Sequence, residues 1–245
     1  CCRRNLQNDR MKIAIISDIH SNINALEAVL RDIQARQCDA ILCLGDFVGY
    51  YYWPEEVVNS LMNIENVYSI KGNHEEMLFA SLKDLKVRED IKKKYGLGID
   101  YACEKLSDTS LSFLEGLESS MDLILDGKSI GMFHGSPYSI DKYIYPDANQ
   151  ETFFNITNNK FNVVLFGHTH HQFVSYFNNT LIINPGSVGQ SRDVRGLAAY
   201  SIYSTDSGVV LPLRIKYDTS SLVSKIKEVE KKSEKMLFAI QGMGS

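Results

Sequence analysis

Long apolar runs are missing from this sequence. No stretch approaches the ~18 consecutive apolar residues that a membrane span requires, and the longest, such as Ile13-Ala14-Ile15-Ile16, are only strand-sized. Cysteine is scarce: Cys1, Cys2, Cys38, Cys43 and Cys103 are odd in number and form no CxxC pair. That excludes a zinc knuckle, a redox dithiol and a disulfide scaffold, and it implies reduced thiols and a cytoplasmic location. A basic excess is also absent. The chain has 26 Lys+Arg against 30 Asp+Glu, a formal net charge of -4, which argues against a nucleic-acid partner. No 7–15-residue apolar core follows the early arginines, so residues 1–10 do not form a secretory signal and are expected to be a leader or a disordered N-terminus.

What is present describes a globular chain. Hydrophobic residues make up 44% and charged residues 23% of the 245 positions, which excludes disorder and fibrous repeats and suits one large domain, expected over 11–232. Three times an apolar run ends in a polar loop and gives way to helical periodicity. Lys12–Ile16 leads to a helix from Asn24 to Gln37, capped near Asn22. Asp39–Leu44 leads to a helix opened by Pro54, and Val67–Ile70 to Gly72-Asn73-His74. This is the pattern of parallel βαβ units. Residues 75–117 read as a charged, solvated helical insert with no obvious cap domain. Beyond it lie seven further strands, at 121–125, 129–133, 163–166, 173–177, 180–183, 197–203 and 209–216, with Asn178-Asn179 as a hairpin turn. An amphipathic helix over 218–232 is expected to pack on the protein's own sheet, and 233–245 to form a C-terminal tail. The fold class is therefore α/β, one domain with two sheets.

The six histidines carry the chemical signal. His20, His74, His134, His168, His170 and His171 each lie just past an expected strand, where α/β sheets bind ligands. Asp18, Asp46 and Asn73 sit beside them, in the strings Asp18-Ile19-His20, Gly45-Asp46-Phe47-Val48-Gly49, Gly72-Asn73-His74-Glu75, Phe133-His134-Gly135 and Gly167-His168-Thr169-His170. Each string alone is weak, since Asp-x-His and Gly-Asp-x-x-Gly recur by chance; the ordered set is not a chance event. In Asp18-x-His20 and His168-x-His170 two side chains converge only if a loop bends them together. Asp18, His20, Asp46, Asn73, His134, His168 and His170 make seven donors, enough for two divalent metal ions sharing a carboxylate. Imidazole with carboxylate favours Mn, Fe or Zn, and the lack of thiolate argues against structural zinc. Such a pair can clamp a phosphoryl oxygen.

These strings resemble the calcineurin-like metallophosphoesterase superfamily, whose pattern is DxH, GDxxG, GNH(D/E), a later His and GHxH, over Met11 to about Tyr217. Asn184-Pro185-Gly186-Ser187-Val188-Gly189 is similar to a small prokaryotic branch of phosphodiesterases and diadenosine-tetraphosphatase-like proteins. The resemblance implies a four-layer α-β-β-α sandwich, two sheets flanked by helices, with a dinuclear metal site at the strand C-terminal ends. It places Asp18, His20, Asp46 and His170 on the first metal and Asn73, His134 and His168 on the second, with Asp46 bridging. It makes His74 catalytic, with Glu75 or Asp46 opposing the cations beside it. The implied activity is metal-dependent hydrolysis of a phosphate ester, a phosphodiester by preference, through direct attack of a metal-bridging hydroxide on a small-molecule substrate. The same set would serve a protein or nucleotide phosphatase or a dinucleoside polyphosphate hydrolase. A non-catalytic scaffold of this fold would lack several ligands, and none is lacking. The chain departs from the branch at Tyr51-Tyr52-Trp53, where Val-Gly-Tyr-Gly is usual, and at Ser191-Arg192-Asp193, where proline is common. Tyr50, Arg192 and Arg195 are therefore candidate substrate contacts, and His171, outside every motif, a loop or surface residue.

Overall fold

Alternation along the first strand sets the layering. In β1 (Lys12–Ile16), Ala14 and Ile16 face one hydrophobic cluster and Ile13 and Ile15 another, as the two-residue period of a strand requires. The computed structural model describes residues 10–157, 160–230 and 234–241. The expected leader lies outside the described residues except for Arg10, whose Nε is 3.3 Å from Asp206.

After β1 come α1 (Ile23–Ala35), β2 (Ala40–Cys43), α2 (Pro54–Met62) and β3 (Val67–Ser69). Asn22 caps α1, its side chain accepting from Ala25 N at 3.2 Å. Four helices fill the charged stretch: α3 (Asn73–Lys83), α4 (Leu85–Tyr95), α5 (Gly98–Lys105) and α6 (Asp108–Glu115). The second half supplies β4 (Ser120–Leu125), β5 (Lys128–Phe133), α7 (Gln150–Thr157), β6 (Val163–Leu165), β7 (Gln172–Phe177), β8 (Thr180–Pro185), β9 (Ala198–Ser204) and β10 (Val210–Ile215). The chain continues into α8 (Ser220–Val229) and α9 (Glu234–Gln241).

The strands form two five-stranded sheets, ordered β10-β9-β1-β2-β3 and β4-β5-β6-β8-β7. In the first, β1, β2 and β3 run parallel and β9 returns antiparallel beside β1. In the second, β5, β6 and β8 run parallel between antiparallel edge strands. Ile13, Ile15, Leu42 and Leu44 meet Ile130, Met132, Val163 and Leu165 between the sheets. Helices α1, α2, α5 and α6 cover the outer face of the first sheet through Leu26, Val29, Val58, Ala102 and Leu114. Helix α7 covers the second through Phe153 and Ile156. Each fully buried Ile or Leu contributes about 1.5–3 kcal/mol relative to exposure. The Asn178-Asn179 turn has φ of 46° and 63°, joining β7 to β8 with Phe177 opposite Thr180; two positive φ values make the tight hairpin turn that matches strand twist.

Two expectations need correction. Residues 234–241 are helical, and Ile240 is 1% exposed, so this segment is not a tail. Gly242–Ser245 lie outside the described residues. Leu222 and Ile226 of α8 do not pack on a sheet; with Ile240 they close over Tyr51 and Tyr52 of the loop after β2. Helix α7 lies in a stretch that the sequence pattern left unassigned. Among the described residues, no helix is long and apolar enough to cross a membrane.

Candidate metal centre

The two Asp/His-x-His strings converge through an unusual backbone. Asp18 (φ 55°), His20 (51°), Asp46 (56°), His168 (63°) and His170 (59°) all lie in the left-handed region. For residues other than glycine that conformation costs about 1–3 kcal/mol each and persists only where surrounding structure over-determines it. Here the loops are zipped together. Asp18 N donates to Gly45 O at 3.0 Å, and Ile19 N and His20 N donate to Asp46 O at 2.8 and 2.9 Å. Ser187 Oγ donates to Asp18 O at 2.7 Å, and Asn184 Nδ2 to Gly167 O at 2.9 Å. The Asn184–Gly189 string thus supports the loops of Asp18 and His168 from behind.

Glu75 ties two more loops. Its carboxylate accepts from Asp46 N (2.9 Å), Phe47 N (2.8 Å), Val48 N (3.2 Å) and Gly72 N (2.7 Å). It is fully occupied by backbone. Of the two carboxylates considered for His74, Asp46 is the one that faces it, with Oδ2 4.0 Å from His74 Nε2. The other Asp46 oxygen accepts from His74 N at 2.9 Å.

The imidazoles are oriented for coordination. Nδ1 of His20, His134 and His170 meets the carbonyls of Val48 (3.1 Å), Leu44 (2.7 Å) and Gln190 (2.7 Å). A carbonyl only accepts, so each Nδ1 carries the proton and each Nε2 turns inward; backbone carbonyls fix metal-ligating histidines in the same way. His168 is reversed: its Nε2 donates to Asp141 O at 3.0 Å, leaving Nδ1 for the site. Three triads result, Asp18/His20/His170, His20/Asp46/His74 and Asp46/His134/His168, each with ligand atoms within 4.8 Å of one another. Asp46 Oδ2 lies 3.7 Å from His20 Nε2 and 3.3 Å from His134 Nε2. Asn73 Oδ1 is 3.0 Å from His134 Nε2.

The donor set fits cations. Asp18 Oδ1 is buried without a hydrogen-bond partner, and the Nε2 atoms of His20 and His170 face each other at 3.0 Å. Burial works against ionising Asp18, yet His170 beside it holds the carboxyl well below its ordinary range. Asp46 is likewise held low against burial by His134 and His74. Burial depresses His20, His74 and His168, the last to about 4, each with help from a neighbouring histidine. His134 alone rises, against its burial, to about 10 beside Asp46. Asp18 and Asp46 bring two buried carboxylates to one place, and positive ions would offset their charge.

Asp46, His74, His168 and His170 of these triads line a cleft of ≈ 440 Å³ together with Asn73, whereas Asp18, His20 and His134 are buried and not part of its lining. Tyr50 and Arg192 stand on its wall, Arg192 Nη2 donating to Tyr50 OH at 3.2 Å. Tyr51 and Tyr52 are core residues, so the aromatic cluster divides into one cleft residue and a packed loop. Arg195 does not line this cleft; its guanidinium lies over Phe238, 4.2 Å from the ring centroid. His171 is partly exposed beside Tyr145. Sequence reasoning missed two walls. Ile91, Lys94 and Tyr95 of α4 form one, and Asp141 and Tyr143 the other. The Tyr143 ring sits 4.2 Å from His168. The run Lys92-Lys93-Lys94 had signalled only solvent, yet the aromatic-glycine pair that ends it, Tyr95-Gly96, marks where the helix stops at the cleft.

Comparison with known proteins agrees with this geometry. The family model described as calcineurin-like phosphoesterase superfamily domain matches residues 11–208. An uncharacterized protein of Methanocaldococcus jannaschii is 33% identical over 232 residues, 87% of this chain and 91% of that one. A metallophosphoesterase from Sphaerobacter thermophilus superposes with a TM-score of 0.76 at 29% identity, over 94% of this chain and 99% of its own. A hypothetical protein from Pyrococcus horikoshii has the same fold, with a TM-score of 0.83 at 20% identity over 94% and 98%.

Proposed function

The chain belongs to the calcineurin-like phosphoesterase superfamily, and from that premise we propose that it hydrolyses a phosphate ester, by preference a phosphodiester, with two divalent ions of Mn, Fe or Zn. One observation carries the reading: Asp46 Oδ2 stands between His20, His74 and His134 at 3.7, 4.0 and 3.3 Å. Asp18, His20, Asp46 and His170 would hold one ion; Asn73, His134 and His168, with Asp46 shared, the other. When bound, such ions supply Lewis-acid polarisation of a phosphoryl oxygen and lower the pKa of coordinated water.

The chain's own residues do the rest. Among the described residues, no serine, threonine or cysteine lines the cleft, which supports water as the source of the attacking oxygen. The new P–O bond forms to that oxygen, the ester P–O bond breaks, and the leaving oxygen needs a proton. His74 is the donor in this reading, 3% exposed on the cleft floor with Asp46 opposite to stabilise its charged form. Arg192, fixed by Tyr50, is placed to orient a phosphoryl oxygen.

Asp46→Asn and His74→Ala test it. With bis(p-nitrophenyl) phosphate and added Mn2+, each should remain folded and lose about 10²–10⁴-fold in kcat. Near-wild-type turnover by both would remove the assignment.

A further inference from the structure

A second cleft opens beside the metal centre. It has a volume of ≈ 550 Å³, lies between the end of α4 and α9, and shares Tyr50, Lys94, Tyr95 and Arg192 with the first. Its charge is out of keeping with the molecule. The chain carries a net charge of -4, whereas among the described residues this cleft is lined by three consecutive lysines, Lys92 to Lys94, with Arg192 and Arg195, and by one carboxylate, Glu230.

The pairing of these charges matters more than their number. Lys92 and Lys93 are held by Asp100 and Asp90 at 2.6 and 3.1 Å. Lys94, Arg192 and Arg195 have no carboxylate partner among the described residues and rest on aromatic groups. Lys94 Nζ lies 4.9 Å from the Tyr95 ring centroid, Arg192 binds Tyr50 OH, and Arg195 lies over Phe238. Glu230 is engaged elsewhere, accepting from Leu97 N at 3.1 Å and Tyr52 OH at 3.3 Å. Three cations thus follow a path that starts beside the metal ligands, where the Tyr50 ring is 5.0 Å from His74, and leads away from them. Aromatic support holds such groups in place without neutralising them, and a groove lined by one sign of charge concentrates the opposite sign.

We propose that this cleft is a second anion subsite, so that the physiological substrate is a small polyphosphate ester, with one phosphoryl group at the metal centre and at least one further phosphate on Lys94 and Arg195. This rests on reading the first cleft as the hydrolytic site, and it narrows the substrate from phosphate esters in general to those with two or more phosphates. The cleft's size suits a few phosphoryl groups, and the acidic chain disfavours a nucleic-acid strand.

Calorimetry on Mn2+-loaded protein tests the subsite without requiring turnover. Orthophosphate and tripolyphosphate are the probes, with Mn2+ matched in cell and syringe. The wild type should bind tripolyphosphate at least tenfold more tightly than orthophosphate. Arg195→Gln and Arg195→Ala, at an exposed position that does not line the first cleft, should each reduce that ratio to below threefold and leave orthophosphate affinity unchanged. A wild-type ratio near one, or an equal loss for both probes, overturns the proposal. So does a single-stranded oligonucleotide that binds more tightly than tripolyphosphate and is weakened by the same substitutions. If the subsite binds as described but bis(p-nitrophenyl) phosphate is not turned over, the hydrolytic reading has failed and the subsite has not.

Discussion

Glu75→Gln is a small change at a position where two loops depend on one carboxylate. Four backbone N–H groups, from Asp46, Phe47, Val48 and Gly72, point at its two oxygens. Burial and the nearby Asp46 carboxylate press the Glu75 pKa upward, but the N–H donors need acceptors and leave no acceptor for a carboxyl proton. We take the ionised form as the one the loops require. Glutamine keeps one oxygen and substitutes an NH2 donor for the other. Whichever way the amide is turned, two buried N–H groups then face a donor. Each unsatisfied group costs about 1–3 kcal/mol, so the variant should lose about 2–6 kcal/mol, or roughly 5–20 °C in Tm for a chain of this size. The loops concerned carry Asp46 and His74, so kcat on bis(p-nitrophenyl) phosphate should fall as well. Guanidinium denaturation gives the first quantity and steady-state kinetics the second. Glu75→Gln with wild-type stability and turnover would refute the reasoning, because it would mean that the loops accept a neutral side chain.

That the Asp and His strings would meet was legible because each follows an apolar run short enough to be a strand, and strand ends collect at one edge of each sheet. The sequence could not display how these candidate ligands meet. Asp18-x-His20 and His168-x-His170 converge through left-handed backbone at both ligand positions of each pair, and that conformation is imposed by hydrogen bonds from distant loops. Nor could it show that His168 presents Nδ1 where the other three histidines present Nε2, because the choice depends on Asp141 O, reached from another loop.

The walls of the site were hidden for a different reason. Helix α4 has no buried side chain, so hydrophobic periodicity carries no information about it, and its lysines read as solvent-facing although Tyr95 closes one side of the cleft. The large apolar residues of α7, Phe153, Phe154 and Ile156, span a single turn, too little for a helical period to emerge. Arg192 and Arg195 are three positions apart, yet one reaches Tyr50 and the other Phe238; a loop has no period from which side-chain direction can be read. In α9, Met236, Leu237 and Ile240 do have helical spacing, but what they cover is the Tyr51-Tyr52 loop, a partner that no local pattern indicates.

Other substitutions test separate parts of the structure. Gly49 has φ +91°, and a Cβ there would come 2.1 Å from His74 Nδ1; Gly49→Ala should displace that ring and lower kcat by about 10²-fold, and unchanged turnover would show that the position of His74 is not critical. Removing metal with a chelator should lower Tm by about 5–10 °C, from about 2.7 kcal/mol of binding stabilisation at a hundredfold excess over Kd, with recovery on adding Mn2+; an unmoved Tm would count against the centre. Asp193 tests the electrostatics of the loop behind it. Against partial burial, hydrogen bonds from Arg214, Gln172 N at 2.8 Å and Val194 N at 2.7 Å hold its pKa at about 2, down from an ordinary 3.8. A lowered folded-state pKa means that the stabilisation is complete above the unfolded value and disappears as pH falls through the folded one. Screened by solvent at this exposed position, the drop corresponds to about 1 kcal/mol, so Asp193→Asn should be less stable than wild type by about that amount at pH 7. The gap should narrow from about pH 4 downward and close near pH 2. A gap of constant size between pH 7 and 3, measured by urea denaturation, would show that Asp193 acts through neutral hydrogen bonds and that its charge on Arg214 contributes nothing.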